Sequence, residues 1–141
     1  MIKKSSSQVA SIETKKEGFK GMHARFLWSK DDGCPNFAMR LMEFEPYGHT
    51  SFHAHLEEHE FYFVEGEPAY VDANGKETKL KVGDTIYTGP DEPHQIKNVG
   101  ATVMKMICMI PILPGGDGKL PAPRPDGKDY VTKQKPTSGG C

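Results

Sequence analysis

No window of this chain sustains a helical period over three turns; short β-branched and aromatic runs alternate instead with turn signals. That spacing predicts an all-β sandwich or barrel. Candidate strands cover residues 23–28, 37–45, 50–55, 60–64, 69–72, 77–81, 85–87, 94–98 and 103–110. Between them lie Asp32-Gly33, Pro46-Tyr47-Gly48, Glu65-Gly66, Asn74-Gly75 and Val82-Gly83-Asp84. Asn74-Gly75 is the clearest hairpin signal, because a type I′ turn needs positive φ at both central residues. Residues 1–20 read as a polar N-terminal arm able to add one short strand, and residues 21–112 as the barrel domain. Residues 113–141 read as an irregular Pro/Gly-rich tail whose last residues are expected to be disordered.

With 141 residues the chain makes one domain that buries about two-thirds of its unfolded surface. Its 18 basic and 19 acidic residues give no electrostatic case for nucleic acid or an anionic membrane as partner. Lys3, Lys4, Lys15, Lys16 and Lys20 are interrupted by Glu13 and Glu17, which reads as a solvated tail. No apolar core of a signal peptide opens the sequence, and no run reaches transmembrane length. Cys34, Cys108 and Cys141 are an odd number without close spacing, so no disulfide framework is expected and a reducing cytoplasm fits. Cys141 reads as a thiol at a frayed end.

Four of the six histidines fall in two segments: His53-Ala54-His55-Leu56-Glu57-Glu58-His59, and a turn-rich stretch ending at His94. Neutral imidazole is the commonest protein ligand for divalent transition metals. If residues 50–55 form a strand, His53 and His55 share a face with Cα atoms roughly 6.5–7 Å apart, within reach of one metal. Leu56-Glu57-Glu58 then turns the chain, and His59 shares its parity with Phe61 and Phe63, giving the imidazoles an apolar flank. His94 opens a later strand as the fourth ligand.

These segments carry a family resemblance. Gly48 to Gly66 resembles the first motif of the cupin superfamily, G-x5-H-x-H-x3,4-E-x6-G, and Gly83 to Asn98 resembles the second, with His94 and Asn98 in register. The resemblance covers roughly residues 40–110. It implies a cupin-type conserved β-barrel (double-stranded β-helix, jelly-roll) with a metal inside its mouth, and a homodimer paired through a sheet. Counting back from Gly66 puts His59 where cupins usually carry a glutamate; Glu60 fits a looser count but has the opposite parity. Gly48 is one residue closer to His53 than usual, and Gly89 and Asp91 replace the usual proline and glycine.

His53, His55, His59 and His94 are therefore the expected ligands of one divalent transition metal, which resembles the four-histidine subset of cupins. Four neutral ligands leave the full dication charge to polarise bound oxygens, and octahedral geometry leaves two adjacent positions open. All-nitrogen ligation admits manganese, iron, cobalt, nickel, copper or zinc, and the resemblance to four-histidine cupins implies manganese or iron first. Phe61, Phe63, Met104, Met106 and Cys108 are candidate pocket residues, with ordinary core packing as the alternative. His49, about 13 Å from His53 along a strand, is expected at the surface and His23 in a structural role. Arg40 could anchor an anionic substrate, although an exposed strand position is expected; Glu57, Glu58 and Glu60 are expected to be solvated. No catalytic acid or base is identified, and no Ser/His/Asp arrangement, P-loop or dinucleotide fingerprint occurs. The leading expectation is an enzyme acting on a compact oxygenated small molecule (diketone, enol or aromatic diol), first by dioxygenase-type C–C cleavage. The alternatives are an isomerase or lyase using the metal as Lewis acid, and a non-catalytic small-molecule or sugar-binding module.

Overall fold

Alternation along the sequence becomes a nine-stranded sheet in a computed structural model, which describes residues 1–127. The strands are β1 (Ile12–Glu13), β2 (Lys20–Trp28), β3 (Phe37–His49), β4 (His59–Glu65), β5 (Pro68–Val71), β6 (Glu77–Lys79), β7 (Thr85–Thr88), β8 (Gln95–Asn98) and β9 (Met104–Pro111). Every pairing is antiparallel, and the order β6-β5-β8-β3-β9-β4-β7 curls the sheet into a half-barrel, with β2 on the other edge of β3 and β1 on β2. This is the all-β architecture expected of a jelly-roll. No helix among the described residues is long and apolar enough to cross a membrane. Cys141 and the end of the tail lie outside the described residues.

Two expectations are corrected. Residues 50–55 form no strand; they meet the segment before β8 through an isolated antiparallel bridge between His53 and His94. Pro90 and Pro93 have no N–H to give a continuous ladder, and Thr50 Oγ1 accepts from Ile96 N at 3.0 Å. The Asn74-Gly75 hairpin is real but is not type I′: Gly75 has φ 81 and Asn74 is not among the residues with positive φ. Gly75 N donates to Asp72 O, and the Asp72 carboxylate accepts from Asn74 N and Lys76 N, so a side chain sets the turn.

Inward positions alternate strictly along β9, where Met104, Met106, Cys108 and Ile110 are buried. They pack with Phe44 of β3, Phe63 of β4 and Ile96 of β8 in one core. Methionine is flexible enough to fill the irregular space where the sheet curls. Gly66 follows β4 with φ 87, and a Cβ there would lie 2.6 Å from Val103 O; only glycine lets this turn seat against the start of β9.

Asn98, the last residue of β8, ties that strand to β3 and to the turn before β9. Its Nδ2 reaches Phe44 O, Glu45 O and Thr102 O at 3.2, 3.0 and 2.7 Å, and its Oδ1 accepts from Gly100 N at 3.0 Å. The side chain is buried, so truncation leaves these backbone groups without their partner. Asn98→Ala is expected to lower unfolding free energy by about 3 kcal/mol, read from urea denaturation. A loss within experimental error of zero would contradict this role.

Candidate metal centre

Two irregular stretches and the first residue of a strand deliver the imidazoles to one place. His53 and His55 lie between β3 and β4, His59 is the first residue of β4, and His94 immediately precedes β8. Near its end β3 passes through Tyr47, whose φ is 61, and Gly48, where a Cβ would lie 2.8 Å from Lys20 O. That close approach of β2 explains the glycine that opens the first motif.

Ligand nitrogens of His53, His55 and His94 all lie within 4.8 Å of one another. In each of these rings Nδ1 faces a backbone carbonyl: Ser51 O at 2.9 Å, Glu57 O at 2.8 Å and Glu92 O at 2.8 Å. A carbonyl only accepts, so Nδ1 carries the hydrogen and Nε2 keeps a lone pair. The donor set therefore fits a cation.

His59 adjoins this trio differently. Its Nε2 faces His55 Nε2 at 2.5 Å, and its Nδ1 lies 3.1 Å from Cys108 Sγ, which also accepts from Arg40 Nη2 at 2.9 Å. Two lone pairs at 2.5 Å would repel, so this contact needs a proton or a cation. Burial pushes the Cys108 thiol up, so at neutral pH it retains its hydrogen and donates it to His59 Nδ1. Without a cation, the hydrogen of His59 would then sit on Nε2 and be donated to His55. Binding a metal through Nε2 requires that hydrogen to move to Nδ1, with the sulfur becoming its acceptor.

Burial also keeps the imidazoles neutral. It draws His53 from the ordinary 6.5 to about 4 and His55 to about 2, helped by repulsion from His94 and His53 respectively. His59 is held well below its ordinary value and His94 is lowered, burial being the main cause in both. Protons therefore do not compete with a metal near neutral pH.

All four rings line a cavity of about 350 Å³ together with Phe61 and Arg40. Of the other expected pocket residues, Phe63, Met104 and Met106 sit in the core, and Cys108 lies buried behind His59. Arg40 is buried, not exposed, because β3 turns it to the same face as Ala38, Met42 and Phe44. Glu57 is also buried and accepts from Ala122 N at 2.9 Å, so it is not a solvated loop carboxylate. Glu58 and Glu60 are exposed. His49 is half-buried, with Nδ1 donating to Thr50 O, and His23 contacts Glu45; neither belongs to the cluster. Sequence spacing missed that the arm (Lys16, Glu17) and the tail (Lys119, Leu120) reach this cavity, since only long-range contacts bring them there.

A family model described as a cupin domain matches residues 40–110. The chain belongs to the cupin family. Its fold is similar to the polyketide cyclase RemF from Streptomyces resistomycificus, with TM-score 0.74 and 26% identity over 79% of each chain. It is also similar to a predicted oxalate decarboxylase from Thermotoga maritima, with TM-score 0.68 and 28% identity over 77% of this cupin and 97% of that chain. An oxalate-binding protein from Thermotoga maritima is 34% identical over 73 residues, 51% of this chain and 60% of that protein. The chain spans between about half and three-fifths of the length of the curated relatives it matches.

The lowered histidines set a pH dependence. Between about pH 6.5 and its native pKa, each histidine is protonated in the unfolded chain and neutral in the folded one. Stability is therefore full above about pH 6.5 and falls as pH drops, by about 1.4 kcal/mol per pH unit for each such histidine. For His53 the fall continues to about pH 4. Chelator-treated protein should show it as a falling urea midpoint between pH 7 and 5; an unchanged midpoint would contradict the buried, neutral cluster.

Proposed function

We propose that this cupin is a metal-dependent enzyme in which His53, His55, His59 and His94 hold one divalent transition metal beside a compact oxygenated substrate. The ligand nitrogens of His53, His55 and His94, within 4.8 Å of one another and each on a ring whose Nδ1 is held by a carbonyl, carry this reading. His59 completes the set once its hydrogen moves toward Cys108. Bound there, the metal would supply Lewis acidity toward substrate oxygens and, if manganese or iron, electron transfer. Phe26, Met42, Phe61 and Ile96 wall the cavity with apolar surface, which excludes water and seats the carbon skeleton of a diketone, enol or aromatic diol.

Dioxygenase-type C–C cleavage is the first reaction proposed. Non-oxidative rearrangement of an enolisable substrate is the second, favoured by the similarity to a polyketide cyclase. We also propose a homodimer, supported by the incompletely buried apolar residues Met39, Leu41, Ile107 and Met109 on the outward faces of β3 and β9. A reducing cytoplasmic setting is supported by the free thiols of Cys34 and Cys108.

Elemental analysis of protein expressed with manganese and iron is expected to find one metal per chain. His53→Ala, His59→Ala and His94→Ala should each lower occupancy severalfold; full occupancy in all three would refute the proposed ligand set. An oxygen electrode, with 1,3-diketones and aromatic diols as probes, then divides the reactions. Oxygen uptake with substrate supports cleavage, and turnover under argon supports the non-oxidative form.

A further inference from the structure

Arg40 is a buried cation with no counter-ion among the described residues. It is 9% exposed, and among the described residues no carboxylate pairs with it. Nη2 donates to the Cys108 sulfur and Nη1 reaches Lys119 O at 3.5 Å, while Nε has no hydrogen-bond partner at all. A guanidinium offers five N–H donors in a planar fork that matches a carboxylate. Leaving such a group buried and partly unsatisfied is costly unless something else completes it.

The same cavity holds that completion. Arg40 lines it beside the four imidazoles, with Lys16 and Lys119 also on its wall and Glu17 as its only carboxylate among the described residues. Neutral histidines would leave a bound dication's charge uncompensated, and Arg40 adds to it. An enolisable or hydroxylated substrate that also carries an anionic group would balance this positive interior.

We propose that Arg40 is the substrate's anion anchor, and that the substrate class is a small oxygenated carboxylate, such as a keto or hydroxy acid. The carboxylate completes the Arg40 fork while the remaining oxygens face the imidazoles. This deepens the enzyme reading and rests on it for the role of the metal, but Arg40 itself needs no metal to recognise an anion.

Calorimetric titration of the full chain tests this, with malonate and its neutral counterpart malonamide as probes, in metal-loaded and chelator-treated protein. Wild type is expected to prefer malonate by about tenfold or more, as for hydrogen bonds to a charged group. Arg40→Met should keep its metal content and lose that preference; Arg40→Lys should keep part of it. Arg40→Gln serves as the charge-removing variant if Arg40→Met does not fold. Equal binding of the two probes by wild type, no binding of either, or an undiminished preference in the charge-removing variant overturns the proposal. A preference that persists in chelator-treated wild type and vanishes with Arg40 supports it. That holds even if elemental analysis finds no metal and the enzyme reading fails.

Discussion

Three Nδ1 hydrogens donated to backbone carbonyls are the contacts on which this site depends. Ser51, Glu57 and Glu92 all lie outside the strands, so their carbonyls are not committed to a sheet ladder. Regular pairing through residues 50–58 and 89–94 would engage such carbonyls with neighbouring strands. The irregular backbone at the barrel mouth is therefore a requirement of the ligand geometry. Pro90 and Pro93 help to enforce it by withholding N–H groups from a ladder. The regular part of the sheet holds these two loops against each other, through the His53–His94 bridge and the contacts of Thr50 with β8.

Burial has two opposite electrical results in this cavity. For the imidazoles it favours the neutral form, which is the form that binds a metal. For Arg40 neutralisation is not available, because guanidinium remains charged at any pH the protein survives. The site is thus neutral at its donors and cationic beside them. A cupin carrying glutamate at the position of His59 would offset part of this charge; here imidazole does not.

The barrel was legible where one face is apolar and the other polar. In β4, His59, Phe61 and Phe63 alternate with Glu60 and Tyr62, and the burial follows that pattern. β3 was harder: Met39 and Leu41 make its outward face nearly as apolar as Ala38, Met42 and Phe44 on the inward one, so parity did not place Arg40. The segment 50–55 looked like a strand because its residues suit one; what prevents it is proline in a partner segment some 40 positions away. The histidine cluster itself was legible from spacing, even though the strand expected to align His53 and His55 does not form. Contributions of the arm and tail to the cavity had no local signal, since neither segment carries a motif. Glu57 was misplaced for a related reason: its partner, Ala122 N, comes from the tail.

Cys108 joins the two electrical features, and its neutral thiol suits that position. A sulfur can accept from Arg40 and donate to His59 at once, linking the cation to an imidazole of the cluster without cancelling its charge. A carboxylate there would satisfy Arg40 and remove the need for an external anion. An aliphatic side chain would leave His59 Nδ1 without a partner and its tautomer unset. With the thiol, the hydrogen shared by Cys108 and His59 can follow the occupancy of Nε2 while Arg40 stays available to a ligand. On the proposed reading, metal binding and anion binding would be separate events sharing one sulfur. Removing Cys108 and Arg40 together should not equal the sum of removing each alone.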